Sequence, residues 1–71
     1  MNIKYVEESV LNKNPLGLIK TRENRFKAIY PHETKSSEDL YIIIEITDNE
    51  EIIIITLYTT TIERRLRNYA I

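Results

Sequence analysis

The sequence predicts one 71-residue domain of the α+β class: an N-terminal helix, a four-stranded antiparallel meander sheet and a C-terminal helix. Three observations predict it. Two isoleucine-dense runs, Leu40–Thr47 and Ile52–Tyr58, flank the polar turn Asp48-Asn49-Glu50-Glu51, and β-branched runs bounded by turn residues read as a hairpin at a sheet centre. Near the start, Ile3, Val6, Val10 and Leu11 recur at helical spacing. Near the end, Thr60-Thr61-Ile62-Glu63 has the spacing of a capping box, in which hydroxyl and carboxylate close a first helical turn.

Taken in order, residues 2–12 form the first helix, with Asn2 placed to cap it. Pro15 ends it, because the residue before a proline is pushed out of helical geometry. Gly17, the only glycine, fits the turn that follows. Leu18–Arg22 and Arg25–Tyr30 read as two strands joined at Glu23-Asn24, and Pro31–Glu38 as a polar loop. The isoleucine hairpin comes next. The last helix runs from Thr60 to about Asn68, with an apolar stripe of Ile62, Leu66 and Tyr69.

Register follows from the pattern. Pairing Thr47 with Ile52 sets Ile46 against Ile53, Ile44 against Ile55 and Ile42 against Leu57, a uniformly apolar face. Phe26, Ala28 and Tyr30 extend that core. The opposite face pairs Glu45 with Ile54, Ile43 with Thr56 and Tyr41 with Tyr58, and adds Arg25, Lys27 and Ile29. Such a face is too polar for a core and too apolar for a plain surface. It is covered by a helix, paired with a second copy, or used for binding.

A domain this small hides only about 60% of its unfolded surface on folding, so its core must be dense. Thirteen isoleucines supply that density, each contributing about 1.5–3 kcal/mol when fully buried. With no cysteine there is neither a disulfide nor a thiolate metal site. No apolar run approaches the ~20 residues of a membrane span, and the N-terminus has no signal-peptide pattern, so a cytoplasmic, non-membrane protein is expected. The net charge of −1 hides a basic stretch (residues 13–30), an acidic stretch (33–51) and a basic tail with Arg64, Arg65 and Arg67. Metal spacing, phosphate loops and nucleophile elbows are absent, so no cofactor or metal is expected.

A meander gathers Tyr41, Tyr58, Thr59, Thr60 and the His32 loop at one sheet end, where the last helix also begins. Tyr41 and Tyr58 there could contact bases, while Lys27, Arg64 and the Thr60 helix start could hold phosphate. His32 carries an imidazole, a group suited to proton transfer. Each group also has a plainer role. The tyrosines form an ordinary cross-strand pair, Thr60 caps a helix, the arginines face solvent beside a helix dipole, and His32 is a surface residue. Arg22 and Arg25 fall beside the acidic Asp48–Glu51 turn and pair with it.

The order of elements resembles the small barnase/EndoU/colicin/RelE-like domains, many of them uncharacterised and others toxin ribonucleases. The residues that carry the resemblance are Val10-Leu-Asn-Lys-Asn-Pro15, then Lys20-Thr-Arg-Glu-Asn-Arg25, an apolar strand, and Ile54-Ile-Thr-Leu-Tyr-Thr-Thr60. The resemblance implies a sheet with a helix on one side and RNA on the other, cleaved without metal. It places Thr56, Tyr58 and Thr60 at the site and matches Arg25 to a basic residue opening an inner strand. The expected function is therefore RNA binding or metal-independent cleavage, with His32, Tyr58 and Arg64 as the catalytic set. Arg25, Lys27, Tyr41, Thr56 and Thr60 would be the binding set. The partners implied are RNA and a cognate antitoxin. The alternative is a non-enzymatic interaction module that self-associates through Ile29, Ile43 and Ile54 of the mixed face.

Overall fold

In the computed structural model, which describes residues 2–69 except the side chains of Asn68 and Tyr69, each expected element is present. They are α1 (Ile3–Asn12), β1 (Gly17–Arg22), β2 (Arg25–Pro31), β3 (Glu38–Ile46), β4 (Ile52–Thr61) and α2 (Ile62–Tyr69). The strands form one antiparallel sheet in the order β1-β2-β3-β4. Tyr69, expected on the stripe of the last helix, lies outside the described side chains. Among the described residues no helix is long and apolar enough to cross a membrane.

The Asn2 side chain accepts from the Lys4 amide at 2.8 Å and starts α1. Val6 and Ser9 are buried against the sheet, with Tyr5 and Val10 beside them. Ile3 and Leu11, expected on this face, are 62% and 70% exposed. At about 100° per residue, Leu11 points roughly 170° away from the Tyr5–Val10 stripe. The core on this side is Val6 with Ala28, Tyr30, Leu40, Ile42 and Ile44, joined by Phe26, Ile54 and Leu57. Burial pushes the Tyr30 hydroxyl above its ordinary value of 10.0.

The β3–β4 hairpin departs from the expected register in its turn half only. Tyr41↔Tyr58, Ile42↔Leu57 and Ile43↔Thr56 pair as expected. Beyond them the partners are Ile44↔Ile54, Glu45↔Ile53 and Ile46↔Ile52. Two one-residue shifts cancel. Thr47 closes on Glu51 rather than Ile52, its amide donating to the Glu51 carbonyl at 2.9 Å, which shortens the loop by one. Ile55 then bulges out of the ladder and restores register. Ile53 and Ile55, expected in the core, are therefore 46% and 44% exposed, and Ile54 moves to the α1 face.

The turn is a three-residue loop, with the Glu50 amide donating to the Thr47 carbonyl and Glu50 itself at φ 64°. The left-handed region costs a non-glycine residue about 1–2 kcal/mol. Glu50→Gly removes that strain while adding unfolded-state entropy, so it should stabilise the domain by about 0.5–1 kcal/mol. A urea titration checks this, and an unchanged or lowered midpoint would mean that Glu50 is not strained.

Candidate nucleic-acid interface

The register places Arg25, Lys27, Ile29, Asp39, Tyr41, Ile43, Glu45, Ile53, Thr56, Tyr58 and Thr60 on the sheet face opposite α1. Successive strand residues alternate in side, so this follows from the pairs alone. Cross-strand rows run Lys27–Ile43–Thr56, Ile29–Tyr41–Tyr58 and Pro31–Asp39–Thr60. Lys27, Tyr41, Thr56, Tyr58 and Thr60 thus lie in adjacent rows of one face, whereas Arg25 shares the face but stands at its far end, three rows from Thr60.

α2 covers one end of this face. The Arg65 Nε donates to Asp39 Oδ2 at 2.7 Å, and Asp39 is 1% exposed. Ile62 and Arg65 are half-buried, whereas Leu66, expected in the apolar stripe, is 55% exposed. A buried carboxylate needs a charged or hydrogen-bonding partner, and this pairing sets which side of α2 faces the sheet.

β4 continues through Thr61, pairing Thr60 with Asp39 and Thr61 with Glu38. Thr60 is therefore a strand residue on the mixed face and not the cap of α2, which starts at Ile62. Ladder pairing outweighs the local capping signal. The Ile62 amide donates to the Ser37 carbonyl at 3.1 Å, so one donor of that helix start is already used.

The tyrosines form a cross-strand pair, their ring centroids 5.2 Å apart and tilted by 33°. Tyr41 is fully buried, whereas Tyr58 is 36% exposed. Only Tyr58 therefore offers ring surface to a base. Lys27 Nζ lies 5.9 Å from the Tyr41 centroid. Thr56 is exposed and Thr60 half-buried beside the rings. Arg64, in the first turn of α2, is exposed.

Arg25 does not pair with the acidic turn. Its Nη2 bonds Glu45 Oε1 at 3.0 Å, directly across the β2–β3 ladder, and this partly exposed pair contributes about 0–1 kcal/mol. Arg22 is exposed at the same end of the sheet. His32 serves the β2–β3 loop: its Nδ1 accepts the amides of Thr34 and Lys35, both at 3.0 Å. Those bonds assign the neutral ring its proton at Nε2, leaving no free lone pair to take a proton from a ribose hydroxyl. Among the described residues no cluster of His, Asp and Glu side chains could hold a metal.

The self-association surface expected from Ile29, Ile43 and Ile54 does not form as drawn. Ile29 is fully buried, Ile43 is half-buried, and Ile54 sits on the other face. Exposed apolar area lies instead along β4, at Ile52, Ile53 and Ile55. The sequence reasoning missed the Arg65–Asp39 pair, whose members lie 26 residues apart with no local signal linking them. No family model, curated protein or solved structure matches this chain.

Proposed function

We propose that the mixed face binds single-stranded RNA in the manner of a toxin-like ribonuclease domain, as a binding surface first and a cleaving one only if another group supplies the base. The observation that carries this is Tyr58, an exposed ring backed by the buried Tyr41 ring and flanked by Thr56 and Thr60 on one sheet face. A tyrosine held flat by a second ring loses little entropy when a base stacks on it. Such stacking contributes about 1–3 kcal/mol per base. Arg64 supplies charge for phosphate, and the hydroxyls of Thr56 and Thr60 can bond ribose or phosphate oxygens. His32 stabilises its loop and donates from Nε2.

Fluorescence anisotropy on a labelled single-stranded RNA tests this. Tyr58→Ala should weaken binding about 5- to 160-fold, following that stacking energy, whereas Tyr58→Phe should keep affinity and affect only cleavage. Arg64→Ala should lower the salt slope by about 0.7, the value for one phosphate on a single strand. Wild-type affinity in both Tyr58→Ala and Arg64→Ala would contradict the site. A protein-interaction module is the second reading, favoured by the exposed isoleucines of β4. A partner cognate antitoxin would be recognised by its capacity to cover Tyr58.

A further inference from the structure

β4 is an edge strand of ten residues, Ile52–Thr61, with no charge and no proline. Edges of this kind are usually short, charged or broken by proline, because an open row of amides and carbonyls recruits another strand. We propose that β4 pairs antiparallel with β4 of a second copy, about a two-fold axis at the Ile55 bulge, to give a continuous eight-stranded sheet.

The face pattern selects this alignment. The bulge shifts side-chain parity by one, so Ile52 and Ile54 share the α1 face with Leu57 and Thr59, while Ile53 shares the mixed face with Tyr58. A two-fold between Ile55 and Thr56 sets Ile53 opposite the other copy's Tyr58, Ile54 opposite its Leu57 and Ile52 opposite its Thr59. Every pair then lies on one face. Moving the axis by half a residue sets Ile54 against Tyr58, on opposite faces. The Ile53–Tyr58 contact joins two half-exposed groups, 46% and 36%, in an isoleucine–aromatic cross-strand pair.

Charge favours the same arrangement. The turn before β4 carries Asp48, Glu50 and Glu51, all exposed, and the helix after it carries the exposed Arg64 and Arg67. Antiparallel pairing brings the acidic turn of each copy to the helix of the other, where Arg64 and Arg67 outnumber Glu63, and parallel pairing would set like against like. A cleft lined by Glu7, Val10, Leu11, Ile52 and Ile54 lies between α1 and this strand. The two-fold stands perpendicular to the sheet, so both mixed faces lie on one side and both Tyr58 rings stay accessible from that side.

Sedimentation equilibrium across micromolar to millimolar protein tests the pairing. A single strand pair buries less than a standard interface of about 1,600 Å², so a reversible dimer dissociating on dilution is expected. Ile53→Lys should give a monomer with an unchanged melting profile. Glu50→Lys/Glu51→Lys should weaken the dimer about tenfold or more, as should Arg64→Glu/Arg67→Glu, and the four changes combined should restore it. A monomeric wild type at millimolar concentration would overturn the pairing. So would a dimer insensitive to Ile53→Lys or to the charge reversals. RNA binding is read separately by anisotropy at protein concentrations where sedimentation shows the monomer and Tyr58 makes no dimer contact, so failure of one leaves the other intact.

Discussion

Arg65→Ala is expected to destabilise the domain by about 3–5 kcal/mol, the cost of leaving a buried carboxylate without its cation. Asp39 is 1% exposed and its Oδ2 receives the Arg65 Nε at 2.7 Å. A domain of 71 residues has a total stability of only about 4–11 kcal/mol, so this one truncation should remove a large part of it. Arg64→Ala, one residue earlier and exposed, should change stability by less than about 0.5 kcal/mol. Urea unfolding of both variants and of Asp39→Asn/Arg65→Ala measures the coupling. The double variant should recover part of the loss, because an amide costs less to bury than an unpaired carboxylate. Equal midpoints for Arg65→Ala and wild type would mean that water reaches Asp39.

Ile42→Ala should cost about 2–5 kcal/mol, whereas Ile53→Ala should cost less than about 1 kcal/mol in the monomer. Ile42 is fully buried between Ala28 and Leu57 in the ladder, under the helix residue Val6. Ile53 stands 46% exposed opposite Glu45. The unfolding midpoints of the two variants should therefore separate widely although the residues are chemically identical. Similar midpoints would place Ile53 in the core, as a ladder without the bulge requires.

That contrast shows where the sequence stops being legible. The faces of β2 and the Tyr41–Tyr58 pair could be read because apolar and polar residues alternate along Arg25–Tyr30 and across the far half of the hairpin. In Ile52–Ile55 four identical side chains carry no alternation, and a slip of one residue leaves the pattern unchanged. The bulge was invisible for that reason. Glu50 gave no sign of a positive φ, which glycine or asparagine would have signalled. Thr59, Thr60 and Thr61 can each cap a helix, and only pairing with Glu38 and Asp39 carries the strand to Thr61.

The face of the site was legible for the same reason as the register. Lys27, Tyr41, Thr56, Tyr58 and Thr60 fall on one side through period-two alternation. Their exposure was not. The buried state of Tyr41 depends on long-range packing, and the Arg25–Glu45 pair on a ladder partner 20 residues away. His32 as a loop acceptor could have been suspected from the Thr34 and Lys35 amides that follow it. The narrower outcome, one exposed tyrosine with hydroxyls and an exposed arginine, suits the proposed binding surface better than a proposed cleaving one.

The most direct test is an amide NMR titration of the labelled protein with a short single-stranded RNA. Perturbations should gather at Lys27, Thr56, Tyr58, Thr60 and Arg64, leaving the exposed side of α1 unmoved. An unchanged spectrum at saturating RNA, or shifts confined to the Lys20–Arg22 end of β1, would contradict RNA binding by the mixed face.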